Sequence, residues 1–429
     1  MIGVCGSERI VLERGLRDME SLIDAFTHRY LTRQEVLYRV TPRENMEVFW
    51  PQLLEARKKY AVEIPLRDKK GNKFWLAHIQ ELTESITYVE DSGKHELFAM
   101  VQGELADNII LDAILDEAFY SSVIEGAFST KQRTAELIAS QSKPANKSEQ
   151  MILNNYMALQ YVLENLDKPI EEDMILSIYR LVTKNTLETG DMVERYRNGP
   201  VYVWDVGLNK AIYEGPEFPN VPSMMNALIE FIHDDSDGIH PIIKACILHF
   251  YFVYIHPFFD GNGRTARAIS YMYLLQRGYS FFKFFSISSI VREQKAKYYK
   301  AIMDAENPEG DLTYFVLFYT SMVMDSIKLV LGRFEKEFYT KIVQDCMEKL
   351  DIALSNRQEK TIDSLMKGKK VFLTVEDYTK RFKVAYEAGR SALNQLVDFG
   401  LLTKTKVGKK FVYKLVSAES LYKRCNSQP

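Results

Sequence analysis

Residues 255–267, IHPFFDGNGRTAR, bring a histidine, an aspartate, two glycines flanking an asparagine and two arginines into one short segment. Each of these types has a chemical use. His256 is the nearby group that titrates close to neutrality, so it can take a proton from an attacking hydroxyl. Gly261 and Gly263 let the backbone around Asn262 curl its amides toward an anion, and the helix that follows adds the positive end of its dipole. Arg264 and Arg267 lie three residues apart on that helix, share a face and can clamp further phosphate oxygens. Asp260, one residue before the nest, offers a hard oxygen to a Mg²⁺ ion bridging two phosphates. The set describes attack by a hydroxyl on a nucleotide phosphate.

Such a loop needs rigid elements on both sides. HPIIKACILHFYFVYI, from His240 to Ile255, reads as a buried helix that delivers His256, and RTARAISYMYLLQRG reads as a second helix stopping at Gly278. Helical spacing extends from Asp107 to about Leu350, with starts at Ser129, Ser148 and Pro222. One segment inside it, GPVYVWDVGLNKAIYEGP (199–216), has two β-rich runs around GLNK and predicts a projecting hairpin. Before this body, RENMEVFWPQLLEARKKY has helical spacing, and EIPLRDKKGNKFWLA reads as two strands around a Lys-Gly-Asn turn.

The net charge of −3 is unevenly spread: residues 357–416 hold fourteen Lys or Arg against six Asp or Glu. A basic module therefore closes the sequence. Its pattern is three helices, the third from about Tyr386 to Phe399, then two strands around KVGKK, which resembles a winged helix-turn-helix. Duplex DNA is one expected partner of that module, and protein contact or a homodimer is the other. The fold expected overall is mainly α. It comprises a small α+β region over 1–106, a helical bundle over 107–350 with its flap at 199–216, and a winged-helix domain over 351–429.

The four cysteines are far apart with no CxxC spacing, which suggests neither a disulfide framework nor a zinc site and fits a reducing, cytoplasmic setting. The segment MIGVCGSERIVLERG meets charge before a signal-peptide core could form, and the apolar runs are interrupted by polar residues. No export signal, transmembrane helix or membrane partner is expected.

A second stretch, YSSVIEGAF (120–128), ends a helix predicted over 107–126. Glu125 falls in its last turn, where the dipole disfavours an anion, so it needs a positive partner. Gly126 is the expected stop, which leaves the glutamate projecting from a terminated helix.

HPFFDGNGRTAR matches the HPFx[D/E]GNGRxxR signature of the Fic domain family at every specified position. The hairpin after YRNGPVYV, the PNVPSMMNALIEFIHD helix and REQKAKYYKAIMDAENPEGDLTYF also resemble family segments, over roughly 107–330. The resemblance implies a protein adenylyltransferase that moves AMP from ATP to a Tyr, Thr or Ser hydroxyl of a target protein. It makes His256 the general base, Asp260 the Mg²⁺ ligand, Gly261, Asn262 and Gly263 the anion hole, and Arg264 and Arg267 the phosphate clamps. Phe258 would anchor the loop, Val201, Tyr202, Val203 and Trp204 of the flap would align the target, and Tyr298 and Asn307 fall near adenosine-contacting positions. AENPEGD is one residue longer there than the usual spacing. Ser121, Glu125 and Gly126 match the family's inhibitory signature, which implies that Glu125 pairs with Arg267 and keeps ATP from binding productively. Two other readings stand beside this one: a hydrolase that removes AMP, alone or as a second activity, and a DNA-binding regulator that senses nucleotide.

Overall fold

In the computed structural model, the apolar run of residues 241–255 is a helix buried around nearly its whole circumference. A helix apolar on every side must be wrapped by others. This one, α10 (Pro241–Ile255), packs against α9 (Val221–His233) and α11 (Asn262–Gln276). Helix α11 packs in turn on α5 (Glu104–Ile124), α7 (Lys147–Glu164) and α8 (Glu172–Thr183). The structure describes residues 10–11, 15–41, 46–93, 104–205, 210–306, 309–349, 353–366, 372–408, 410–417 and 420–421. The chain divides into two compact units, Met1–Lys328 and Leu329–Pro429.

Local chemistry sets the helix ends. Helix α6 (Lys131–Ala139) starts one residue later than a cap at Ser129 would place it, because Thr130 accepts the Arg133 N–H at 3.1 Å. Asn146 caps α7 in place of Ser148, whose hydroxyl instead accepts the Phe128 N–H at 3.0 Å. Pro222 lies in the first turn of α9 as expected. Helix α5 closes in a Schellman motif: Ala127 N–H bonds Ser122 O at 3.0 Å, Gly126 N–H bonds Val123 O at 3.1 Å, and Gly126 takes φ 94°. Glu125 is therefore the C-cap of a firmly terminated helix.

The N-terminal region belongs to the first unit together with the helical body. Its helices α1 (Gly15–His28) and α3 (Met46–Lys58) enclose a core of Phe26, Val36, Phe49 and Leu53. Its antiparallel hairpin, β3 (Ala61–Arg67) with β4 (Lys73–Ala77), is joined to the body through Trp75 and Gly310, whose carbonyl accepts the Trp75 N–H at 3.0 Å. Buried polar groups reinforce this seam. Tyr30 donates to Asp311 at 2.6 Å, and Arg57, 1% exposed, donates to the Tyr314 hydroxyl at 2.7 Å.

Helix α12 (Ile287–Glu293) and helix α13 (Lys295–Ala305) precede a long helix, α14 (Thr313–Lys349), within which the first unit ends and the second begins. By length and composition alone, Thr313–Lys341 could cross a membrane, with a mean hydropathy of 1.5. The sequence did not suggest this, because Ser and Thr break the run. Their hydroxyls fold back onto the helix, as Thr320 does on Val316 O at 2.8 Å. Half of that apolar window is buried in the protein, Phe315, Val316 and Met322 completely.

In the second unit, α15 (Asn356–Met366), α16 (Val375–Phe382) and α17 (Tyr386–Asp398) share a core with the hairpin of β7 (Leu402–Val407) and β8 (Lys410–Leu415). Leu373 pairs with Tyr413 beside that hairpin.

Candidate active site

Helix α10 ends on His256, whose φ of 51° is unusual for any residue but glycine and turns the chain out of the helix. Its Nδ1 lies 3.2 Å from Val253 O. A carbonyl only accepts, so Nδ1 carries the proton and Nε2 is left as the basic nitrogen. Burial lowers the imidazole pKa, and Arg197 lowers it further, against opposing pulls from the Val253 carbonyl, Glu125 and Asp260. The ring is thus a neutral base at neutral pH.

The loop after it is nailed down. Phe258, fully buried, stacks on Tyr179 with ring centroids 3.5 Å apart. Asn262 turns its amide back, accepting the Phe258 N–H at 3.0 Å and donating to Phe258 O at 2.8 Å. Its contribution to an anion hole is therefore its backbone N–H, not its side chain. Gly261 has φ 87°, and a Cβ there would meet Thr183 at 2.5 Å, so no other residue fits. Asp260 Oδ1 accepts from the Gly261 N–H at 2.5 Å and from Arg264 at 3.0 Å.

The two arginines part company, contrary to the shared face that their spacing suggests. Arg264, 1% exposed, donates to Val182 O at 2.8 Å and to Asp260, so it orients the carboxylate and anchors the loop to α8. Arg267 turns toward α5. Its Nε donates to Ser121 Oγ at 2.8 Å, and one terminal nitrogen donates to Ser121 O at 2.9 Å and to Glu125 Oε1 at 2.8 Å. Burial works against the Arg267 charge, but Glu125, joined by Tyr298 and Glu117, offsets it and the pKa is raised. The same Glu125 oxygen sits against Gly263, where a Cβ would meet it at 2.1 Å. The carboxylate therefore covers the first turn of α11, the place that helix geometry reserves for an anion.

Glu125, His256 and Gly263 line one cleft, walled on one side by α13 through Tyr298, Tyr299, Ile302 and Met303. Tyr298 is buried with its hydroxyl 2.7 Å from His249 Nε2. The opposite wall is the flap, β5 (Tyr202–Asp205) and β6 (Lys210–Glu214), which pairs Tyr202 with Glu214 and Val203 with Tyr213. Val203 lines the cleft and Tyr202 is exposed, whereas Val201 is buried at the root with its carbonyl taken by the Gly215 N–H. Trp204 pairs with Ala211 in the strand register. Asn307 lies outside the described residues, and the neighbouring Glu306 lines the cleft.

Two further residues position the site and were not picked out from the sequence. Arg197, 2% exposed, donates to His256 O and Gly199 O at 2.8 Å each and to Pro216 O at 2.5 Å, tying both ends of the flap to the histidine. Its signal is an arginine directly before the hairpin. Lys295 donates to Ile124 O at 2.7 Å and so caps α5 with a positive charge. Its signal is a lysine at the start of α13.

The Fic/DOC family pattern matches residues 169–274, which hold α8, the flap, α9, α10 and most of α11. This segment is a Fic domain. The Fic domain aligns with curated relatives named protein adenylyltransferase Fic. One, from Nematostella vectensis, is 29% identical over 254 residues, covering 57% of this chain and 55% of that protein. Another, from Drosophila willistoni, is 28% identical over 232 residues, covering 51% and 42%. The chain thus spans about half the length of the curated relatives it matches. Two solved structures share the Fic fold. A Fic family protein from Desulfovibrio desulfuricans G20 has a TM-score of 0.51 at 17% identity, covering 79% of this chain and 96% of that one. Fic-1 from C. elegans has a TM-score of 0.52 at 20% identity, covering 75% and 86%. Among the described residues no group of three or more His, Cys, Asp or Glu forms a metal cage.

Proposed function

We propose that this chain is an autoinhibited protein adenylyltransferase, moving AMP from ATP to a Tyr, Thr or Ser hydroxyl of a target protein. The observation that carries the reading is the position of Glu125, which bonds Arg267 and covers Gly263 within the cleft that also holds His256. The names of the curated relatives support AMP as the group moved.

In the transfer step the target oxygen bonds to the α-phosphorus while His256 Nε2 takes its proton. The bond from that phosphorus to the β-phosphate bridging oxygen breaks, and pyrophosphate leaves with the electron pair. The amides of Asn262 and Gly263, in the first turn of α11, stabilise the charge on the phosphates, while the Gly261 N–H is held by Asp260. Asp260 suits Mg²⁺ carried in by the nucleotide: its side chain is 43% exposed and Oδ2 is uncommitted among the described residues, one carboxylate being enough when phosphates and water supply the other ligands. When bound, the ion would neutralise phosphate charge. Among the described residues β5 pairs with β6 alone, so its other edge beside Tyr202 offers main-chain groups to an extended target segment.

The test is transfer of label from ATP by the wild type, Glu125→Gly, and Glu125→Gly with His256→Ala. With the α-phosphate labelled, Glu125→Gly should label itself and other proteins, and the His256→Ala pair should not. Label arriving from the γ-phosphate would make the chain a kinase, and no transfer of either label would defeat the proposal.

A further inference from the structure

The hairpin of β3 and β4 carries a charge for which nucleotide transfer has no use. Residues 57–73 hold seven Lys or Arg against two Asp or Glu, in a chain whose net charge is −3. Both acids are already engaged. Asp68 closes the turn, accepting the Lys70 and Asn72 N–H groups at 2.8 Å each and the Asn72 side-chain amide at 3.0 Å, and Glu63 is paired with Lys73. Lys58, Lys59, Arg67 and Lys70 are exposed and have no acidic partner among the described residues. Lys58, Arg67 and Lys73 line one groove beside Trp75, with the Lys58 ammonium 5.5 Å from the indole centroid. A surface that served solubility alone would intersperse the two signs of charge.

These charges stand on a rigid mount. Phe74 projects from β4 edge-on into Phe250, Tyr251 and Tyr254 of α10, with ring centroids 5.8, 5.9 and 5.5 Å apart. Tyr251 donates to Arg67 O and Tyr254 accepts the Lys69 N–H, each at 2.9 Å. The Lys69 ammonium then reaches across to the flap and donates to Glu214 O at 3.1 Å, while Tyr213 of the flap donates to Tyr254 O at 2.5 Å. The basic hairpin, the flap and the helix that ends on His256 therefore share one frame.

We propose that this hairpin docks an acidic segment of the protein substrate, so that the chain selects hydroxyls that lie beside acidic surface. This rests on the transfer reading above. A target aligned along β5 cannot touch the flap alone, because a specific protein interface takes about 800 Å² from each partner, a patch about 30 Å across. The flap is two strands wide, about 10 Å at the spacing of paired strands. The tip of the basic hairpin begins where β6 ends, and so falls inside that footprint. Cations there steer a negatively charged partner to the flap and turn away a positive one. Polyanions of other classes are drawn to lysines too, but the bond from Lys69 to the flap places this patch beside the protein that the flap receives.

The experiment takes the full chain with Glu125→Gly as parent and two fluorescent peptides, in which Tyr, Thr and Ser are interspersed with Glu in one and with Lys in the other. Binding is read by anisotropy and transfer by label from ATP. The parent should bind and modify the Glu peptide in preference to the Lys peptide, and added salt should erase the preference. Lys58→Gln, Arg67→Gln and Lys70→Gln combined should raise the Kd and the KM for the Glu peptide about tenfold, the sum of three exposed charge contacts, with the KM for ATP unmoved. Lys406→Gln, Lys410→Gln and Lys414→Gln combined remove as much exposed charge from the C-terminal hairpin and should leave both values at the parent's. The proposal is overturned by a parent without preference, by a hairpin triple variant that matches the parent, or by two triple variants that weaken the peptide equally. Self-labelling without transfer to the bound Glu peptide overturns it as well. Duplex DNA or phosphatidylserine vesicles that bind more tightly than the Glu peptide, and lose as much in the hairpin variant, would reassign the patch to that partner. Peptide binding that the hairpin variant abolishes, with no label moved to any protein, counts against the transferase reading alone.

Discussion

Glu125 takes the ground above Gly263: a Cβ on that glycine would lie 2.1 Å from the Oε1 that accepts from Arg267 at 2.8 Å. One carboxylate thus blocks the anion nest and occupies its nearest cation. Glu125→Gly should raise autoadenylylation by up to about 100-fold, the upper range of a shared-contact coupling. Arg267→Ala added to that variant should cancel most of the gain. Labelling rates of the wild type, Glu125→Gly, Arg267→Ala and the double variant at equal ATP and Mg²⁺ check this. A glutamate without function would leave the rate of Glu125→Gly at the wild-type level.

The same carboxylate sets the pH profile. In the proposed transfer His256 acts as the free base, and burial already lowers its pKa, so activity should climb with pH through a midpoint below the ordinary histidine value and be flat at neutrality. Glu125 raises that pKa, so its removal should move the acid limb of the profile to lower pH. The check is the labelling rate against pH for Glu125→Gly and Glu125→Gln, which should share one midpoint because both lack the charge.

Lys295 secures the brake from behind through Ile124 O. Lys295→Met should cost about 1 kcal/mol of stability, the worth of a charge-assisted cap. It should also activate transfer partially, by less than Glu125→Gly does. Thermal unfolding and labelling on the same preparations test this. A lower melting temperature with no activation would separate Lys295 from the brake.

Arg197 has a buried guanidinium whose partners are all backbone carbonyls. Arg197→Met should therefore leave several acceptors unsatisfied, destabilising the protein by about 2–3 kcal/mol. In the Glu125→Gly background it should lower kcat more than it raises the KM for ATP, since the carbonyl it holds belongs to His256. A KM effect with kcat intact would point to the flap alone.

The loop at 255–267 was legible because its residues act close to where they stand in sequence. His256 and Gly261 turn the chain between the two helices that flank them, although Phe258 also stacks on Tyr179 and Gly261 also meets Thr183, both of α8. Glu125 was half legible: its place at a helix end called for a cation, and which cation depended on a contact 142 residues away. Arg264 misled, because periodicity gives the face on which a side chain starts and not the acceptor at which it ends. Val182 O and Asp260 drew it away from Arg267. Arg197 was invisible for a related reason. Its acceptors are carbonyls, which every residue carries, so no residue type nearby announces them. Spacing around AENPEGD left the end of the cleft open, and Glu306, the neighbour of Asn307, lines it.

The Schellman closure at Gly126 fixes the backbone of Glu125, and Ser121 keeps Arg267 in place through two bonds that do not involve the glutamate. Leaving the nest therefore asks only for rotation about the glutamate's own side-chain torsions, a fast local motion, with no helix unfolded and no arginine displaced. The carboxylate then behaves as a tethered competitor, present at a constant effective concentration that dilution of the protein cannot change. On the proposed function nucleotide must displace it, so transfer would respond to how much nucleotide surrounds the chain.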